Sequence, residues 1–442
     1  MTSGAGSRAL VLDMLLAISE EGQYSHIVLR QVLEKYQYLP KRERAFITRL
    51  TEGTLEREIT LDYVINAYSR TKVHKMKPVV RNILRMGCYQ LLYMDAVPDS
   101  AVCNEAVKLT KKRGLSGLSG FVNGVLRTIA RESANIPMPD ERENPLQALS
   151  IRYSVPEWIV REWLSDYGRE QTVGMLGALQ EEPKLTIRLN PARCTADELA
   201  RRLAAQNVQS EPVEGVENAF VISGFDYLAS LEAFRDGCFY VQDIGSMQAA
   251  AAAAPKQGDY IIDVCAAPGG KSTHLAQMLE GTGMVEARDL TDYKVGLIEE
   301  NILKYGLTNI KAVRMDATVY DEASRGRADI LMCDLPCSGL GVMGRKTDIR
   351  CKMTLEKADE LVKLQRRILD TVCAYVKPGG TLVYSTCTVR RAENEENVAW
   401  FLSGHPEFAL ESMRQIFPKD GHDGFFVAKL AAAKAGEDKG GR

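Results

Sequence analysis

The sequence predicts a multidomain protein: an all-helical first part, a small α+β unit, and a C-terminal α/β domain built on a doubly wound sheet. Three observations carry this. The chain has 442 residues, too many for one hydrophobic core. Its first 140 residues repeat apolar side chains at three- and four-residue spacings, whereas its second half carries short apolar runs that end in aspartate or cysteine. One of those runs, DYIIDV, passes through the turn AAPGGK into the helix-like THLAQML. The boundaries read from these shifts are 1–140, 141–237, 238–431 and a tail at 432–442.

In the first segment the apolar stripes fall in RALVLDMLLAI, RAFITRLTEGTL, VVRNILRMGCYQLLYM and FVNGVLRTIA, each with the period of a helix that buries one face. Pro40, Pro78 and Pro98 fall at helix starts or in linkers. The net charge of −2 hides an asymmetry. Residues 1–140 hold 20 lysines and arginines against 14 acidic residues, a surplus of six, while the remainder has 36 against 44. Lys41, Arg42, Arg44, Arg49, Arg57, Arg70, Lys72, Lys75, Lys77, Arg81 and Arg85 make the densest stretch. A basic module joined to an acidic body points to a polyanionic partner; the ordinary alternative is a set of solvated helix faces.

Residues 135–150, rich in proline and charge, read as a linker. Beyond them lie YSVPEWIVREWLSDYG, the strand-like LTIRL, the helical TADELARRLAAQ and the strand-like AFVIS. Trp158 and Trp163 could stack on bases, but their spacing does not share one helix face, and core packing competes for at least one of them. The segment GCFYVQDIGSMQAAAAAA leads into the α/β domain, its alanines suited to close packing. AAAKAGEDKGGR reads as a disordered tail.

In the α/β domain, a strand feeding a Gly-rich turn that opens a helix is a nucleotide-cofactor cradle. Gly269 and Gly270 let the backbone approach a ligand, Pro268 stiffens the loop, and the first N–H groups of the helix face outward. The cradle covers Cys265, Ala266, Ala267, Pro268, Gly269, Gly270 and Lys271. Asp289 follows the strand-like GMVEA, where a carboxylate grips a ribose hydroxyl in this type of fold. Its competing role is to cap the helix that follows. Asp316, ending KAVRMD, repeats the geometry one strand later and suits an adenine amino group. Asp334 and Cys337 lie just past the strand Ala328 to Cys333, and Cys387 just past Thr381 to Ser385. Strand ends in such a sheet gather functional groups, so two cysteines from separate strands can meet beside the cradle.

That constellation suits carbon methylation of a pyrimidine. C5 of cytosine is a poor nucleophile until a thiolate adds to C6; a base must then remove the C5 proton so that the thiolate can leave. Asp334 is suited to act near N3. Most free cysteines are small core residues, and that reading is assigned to Cys88, Cys103, Cys194, Cys238, Cys333, Cys351 and Cys373. Cys337 and Cys387 differ in standing beside Ser or Thr in loops next to helix starts, whose dipole lowers a thiol pKa.

DVCAAPGGKS, VEARDL, MDA, DLPCSGLG, YSTCT and ENEEN, in this order, resemble the motifs of the S-adenosylmethionine-dependent RNA cytosine-C5 methyltransferases. They span Cys238 to Leu430. The bacterial Fmu/Sun family, which acts on 16S ribosomal RNA, is the most similar branch. LRMGCYQLLYMDAVPDSAVCNEAVKLTKKRG, with GFVNGVLR, resembles the RNA-binding bundle of the antitermination factor NusB, which that family carries at its N-terminus. The resemblance implies a NusB-like bundle, a small α+β domain and a Rossmann-like catalytic domain. It implies that Cys387 attacks, that Cys337 serves product release, and that Asp334 and Lys271 contact the target base. Cys265 to Lys271, Asp289, Asp316 and Asp334 are then the pocket for S-adenosylmethionine. Two positions depart from the common pattern: Leu335 stands where many members have Ala, and Thr347 where many have Pro.

Two other classes compete. A dinucleotide-dependent oxidoreductase is disfavoured because APGGK is not G-x-G-x-x-G and no hydride-transfer histidine is evident. A non-catalytic RNA-binding assembly factor would be natural only if a motif cysteine were missing. The same chemistry on tRNA or 23S rRNA would use the same residues. Hydrophobic content of 45% and charged content of 26% are ordinary. No apolar run reaches about 18 residues, and MTSGAGSRALVLDML lacks the features of a signal peptide. Ten cysteines without framework spacing fit a reducing cytoplasm. Five histidines and no Cys-x-x-Cys pair offer no structural zinc site. The expected protein is a cytoplasmic monomer acting on naked or partly assembled 16S rRNA, without membrane, DNA or metal.

Overall fold

A computed structural model describes residues 4–434. The chain divides into two compact units, one formed by 1–180 with Arg345–Met353 and the other by Glu181–Gly344 with 354–442.

The first unit is helical. Helices Gly4–Ser19, Lys41–Glu56, Glu58–Tyr68, Pro78–Tyr93 and Ser119–Glu132 turn the apolar stripes of the sequence into one core, with Leu12, Ile47, Leu50, Leu61, Ile65, Ile83, Leu84, Val122 and Leu126 fully buried. Pro78 is the first residue of its helix, and Pro40 and Pro98 directly precede theirs, positions where a missing N–H costs nothing. Asn144 caps the helix Pro145–Tyr153 by accepting the Gln147 N–H. The next helix, Glu157–Ala178, kinks at Gly168, whose φ is 72°. Both helices fall in this compact unit, while the composition-based boundary near 140 groups them with the α+β segment that follows. Trp163 is buried there and Trp158 half-buried. Arg350, from the Arg345–Met353 segment, donates to the carbonyls of Glu56, Tyr153 and Leu179 at 3.1, 3.3 and 3.0 Å. A buried guanidinium with these carbonyl partners makes the segment a structural part of this unit.

The second unit opens with a four-stranded antiparallel sheet of β1 (Leu185–Leu189), β2 (Gln209–Pro212), β3 (Ala219–Ser223) and β4 (Phe239–Val241), in the order β2-β3-β1-β4. Helix Ala196–Ala205, capped by the Thr195 hydroxyl, covers it with Leu199 and Leu203.

The large sheet follows with β5 (Tyr260–Asp263), β6 (Met284–Asp289), β7 (Ile310–Arg314), β8 (Ala328–Asp334), β9 (Val376–Thr386), β10 (Phe408–Ile416) and β11 (Phe425–Ala432). Their order is β10-β11-β9-β8-β5-β6-β7, with β9-β8-β5-β6-β7 parallel and the β10–β11 hairpin antiparallel on β9. Both faces are covered, as parallel sheets require. Ile262, Leu331 and Leu382 enter one core, and Ile261, Val285, Ile330 and Val383 the other. Ala249, Ala250 and Ala253 of helix Ile244–Ala253 belong to that second core, consistent with a close-packing element. The tail expected to be disordered starts within a strand: Ala431 and Ala432 pair in the β10–β11 hairpin, and residues 435–442 of it lie outside the described residues. Among the described residues no helix is long and apolar enough to cross a membrane.

Candidate active site

The carboxyl ends of the parallel strands form one edge of the sheet. Asp289 and Asp334 are the last residues of β6 and β8, Cys387 follows β9 directly, and Asp316 lies two residues beyond β7. Four of the sequence-derived site residues are thus delivered by topology alone.

The cradle follows β5. Gly269, at φ +102°, occupies a backbone conformation that L side chains rarely adopt, and its N–H closes the turn onto the Ala266 carbonyl at 2.7 Å. Helix Gly270–Met278 starts immediately after it. Asp289 accepts the Ala267 N–H at 3.0 Å and the Leu290 N–H at 2.7 Å, and pairs with Lys294 at 2.9 Å. Its carboxylate therefore braces the cradle, and Thr291, rather than Asp289, caps the next helix. Lys294 is half-exposed and can give way to another donor. Asp316 accepts the N–H and hydroxyl of Thr318 at 2.8 and 2.7 Å, and these bonds hold its carboxylate below the usual range.

Next to the cradle, Lys271 Nζ meets Asp334 at 2.7 Å and lies 5.0 Å from the centre of the Phe425 ring. Burial works against the lysine charge, but the Asp334 carboxylate, its hydrogen bond and Cys387 more than offset this and hold Lys271 above the usual lysine range. The other Asp334 oxygen accepts from Ser385 at 2.8 Å. The two loop cysteines meet, with Cys337 Sγ 3.3 Å from Cys387 Sγ. The helix-dipole expectation fails for Cys337. The hydrogen bond with Cys387 raises its thiol well above the usual range; burial and then the nearby charges of Cys387 and Glu393 add to this. The elements that follow are three-residue turns, Leu340–Val342 and Arg391–Glu393, too short to carry a helix dipole. The other cysteines expected in cores are buried, except Cys351, which is exposed.

Sequence reasoning missed the polar layer beneath this pair. Ser338, Gln365, Thr388 and Glu393 hydrogen-bond one another below the two cysteines. The ENEEN motif was the available signal, and its first residue is Glu393.

The fold and this strand-end cluster define a class, the S-adenosylmethionine-dependent methyltransferases. Residues 250–431 match the family model described as 16S rRNA methyltransferase RsmB/F, residues 5–131 the NusB family, and residues 155–225 the ferredoxin-like domain of RsmF/B-like methyltransferases. The chain is 36% identical to the probable ribosomal RNA small subunit methyltransferase B of Bacillus subtilis strain 168, over 96% of this chain and 98% of that one. Against the Synechocystis protein of the same name the identity is 33%, over 97% and 99%. Among solved structures, PH0851 covers 97% of this chain and 99% of its own at 25% identity with a TM-score of 0.83. NSun6 from Pyrococcus horikoshii, solved with SFG, shares the fold over 63% of this chain and 99% of its own at 24% identity and a TM-score of 0.57. The chain belongs to the ribosomal RNA small subunit methyltransferase B family.

The residues present fit the methyl donor of that class. Carboxylates at the ends of β6 and β8 and just beyond β7 are of a kind that can accept from hydroxyl and amino groups, and the turn at Gly269 leads directly into the N-terminus of helix Gly270–Met278.

Proposed function

We propose that this protein methylates C5 of a cytosine in 16S ribosomal RNA through a covalent adduct, with Cys387 as nucleophile and Cys337 as the base for release. The observation that carries this reading is the 3.3 Å approach of the two thiols, beside the Lys271–Asp334 pair. The family match to 16S rRNA methyltransferases supports the choice of RNA.

In this reading the Cys387 thiolate adds to C6, and the displaced C5=C6 electrons reach the N3–O2 side of the ring. There the Lys271–Asp334 pair supplies a proton to N3, leaving C5 enamine-like. When bound, S-adenosylmethionine would supply the methyl group as a sulfonium, its sulfur keeping the S–CH3 electron pair as S-adenosylhomocysteine. Cys265 to Lys271, Asp289 and Asp316 hold that cofactor in this reading, and Asp334 serves both ligands. Once Cys387 is bonded to carbon it no longer holds the Cys337 proton. That interaction is the largest of several causes that raise the Cys337 pKa, burial among them, so its loss makes the Cys337 thiol easier to ionise; in this reading Cys337 gives its proton to solvent and the thiolate takes the C5 proton. The C5–H electrons re-form C5=C6, the C6–S electrons return to Cys387, and N3 gives its proton back.

The order of steps separates the two cysteines. Cys337→Ala should retain attack and methyl transfer but not release, and so accumulate a protein–RNA band on a denaturing gel when S-adenosylmethionine is present. Cys387→Ala and the double variant should give no band. A band from Cys387→Ala alone would reverse the roles, and inactive variants that both fail to trap RNA would remove the covalent route.

A further inference from the structure

The Glu393 carboxyl is fully buried. It accepts the Ser338 N–H at 2.8 Å and also the Ser338 hydroxyl. Ser338 is the residue after Cys337. The same hydroxyl lies 2.9 Å from Thr388 Oγ1, and Thr388 is the residue after Cys387. Gln365 donates one amide to Glu393 at 3.0 Å and to the Pro336 carbonyl at 2.8 Å, so Cys337 is gripped on both sides. Burial raises the Glu393 carboxyl above its usual range against these donors. A buried acid at this cost is a severe choice for packing alone.

We propose that Glu393 is the positioning residue for Cys337, fixing the Cys337 loop against the Cys387 loop so that the release thiol sits at the reacting ring. This rests on the assignment of release to Cys337. The two turns come from separate strand ends, β8 and β9, and the Ser338–Thr388 contact is a direct side-chain bond between the residues that follow the two cysteines. Glu393 acts on that bond from below, through Ser338. Its carboxyl is bonded to Ser338 and Gln365, so its loss should be felt in the step that Cys337 performs and spare the step that Cys387 performs.

Glutamine is the informative replacement. Its carbonyl can stand where Oε2 accepts from Ser338 and Gln365, and its amide can donate to the Ser338 hydroxyl, which then donates to Thr388. Alanine leaves three donors without their acceptor.

The test uses the full-length protein, unmethylated 16S rRNA transcript and methyl-labelled S-adenosylmethionine. Methyl transfer in a single turnover and decay of the protein–RNA band are followed separately. Glu393→Ala should slow band decay by about tenfold or more, since small displacements of a reacting group carry large rate costs, with transfer within about twofold of wild type. Glu393→Gln should restore decay to within about twofold. Transfer and decay lost together, or Gln behaving as Ala, would overturn the positioning role. If Glu393→Ala does not fold, Ser338→Ala, which keeps the carboxyl but removes the hydroxyl that links it to Thr388, should show the same split; normal decay in it would overturn the proposal equally. Cys337→Ala runs alongside. Should it fail to trap RNA, the release assignment itself falls; should it trap while Glu393→Ala releases normally, only the Glu393 proposal falls.

Discussion

Asp263 ends β5 with its carboxyl buried, and burial lifts it to about 7 against the opposing hydrogen bond from Ser272 at 2.5 Å. An acid raised in this way binds its proton more tightly folded than unfolded. The native state therefore carries more protons between the ordinary value of 3.8 and about 7, and this group's stability contribution is lost as pH rises across that window. Asp263→Asn keeps an acceptor for Ser272 and removes the titration. Its denaturation midpoint relative to wild type should therefore improve from about pH 5 to about pH 7. Parallel pH dependence in both proteins would show that Asp263 is ionised in the folded state. Cys337 shows the same lesson about what a single residue reveals. Its place in DLPCSG identifies it as a loop thiol near the site, but the direction of its pKa follows from Cys387 and burial, which are contacts of the fold.

At the scale of elements, the apolar runs that end in aspartate or cysteine were legible as strands because parallel strands buried on both faces need continuous Val, Ile and Leu. β5, β8 and the end of β9 follow from that pattern, whereas β6 buries Glu286 and Arg288 among its apolar residues. β2, the sequence QSEP, is mostly exposed and carries no alternation to read. The ENEEN motif was visible while its work was not, since the bonds of Glu393 reach Ser338, 55 positions away in the chain. Gly341 shows how such loops constrain each other. Its N–H donates to the Cys387 carbonyl at 3.1 Å and its carbonyl accepts the Gly424 N–H at 2.8 Å. A Cβ there would lie 2.1 Å from the Gly424 oxygen and 2.9 Å from that of Cys387. Gly341→Ala must therefore displace the backbone that joins the Gly341, Gly424 and Cys387 turns, and methyl transfer should fall by roughly 100-fold if Cys387 moves by about an ångström. Gly296→Ala, in helix Asp292–Tyr305 with nothing near its added methyl, should leave transfer unchanged and raise stability by up to about 1 kcal/mol. Equal activity of the two variants in a single-turnover assay would contradict the packing described.

For the whole molecule, the charge asymmetry was legible as a total but not as a surface. Arg81 and Arg85 are engaged by Glu20, Asp62 and Glu58, and Arg49 lies beside Glu56. Lys41, Arg42, Arg70, Lys72, Lys75 and Lys77 are exposed. If these bind RNA phosphates, replacing Lys72, Lys75 and Lys77 by Ala should reduce the slope of log affinity against log salt by about 0.7 for each phosphate no longer neutralised. An unchanged slope would mean that this face does not meet the RNA. Substitution is a cleaner probe than deleting residues 1–140, because Arg350 donates to the Glu56 carbonyl and deletion would strip a buried cation of a partner. The Arg345–Met353 excursion was not legible in the sequence, since its partners lie up to 330 positions away. The order of bonds made by the two thiols can be read by mass spectrometry of the nuclease- and protease-digested protein–RNA band from Cys337→Ala. The expected product is a peptide modified at Cys387 by a cytidine that already carries the methyl group. An unmethylated cytidine, or attachment at any other residue, would contradict it.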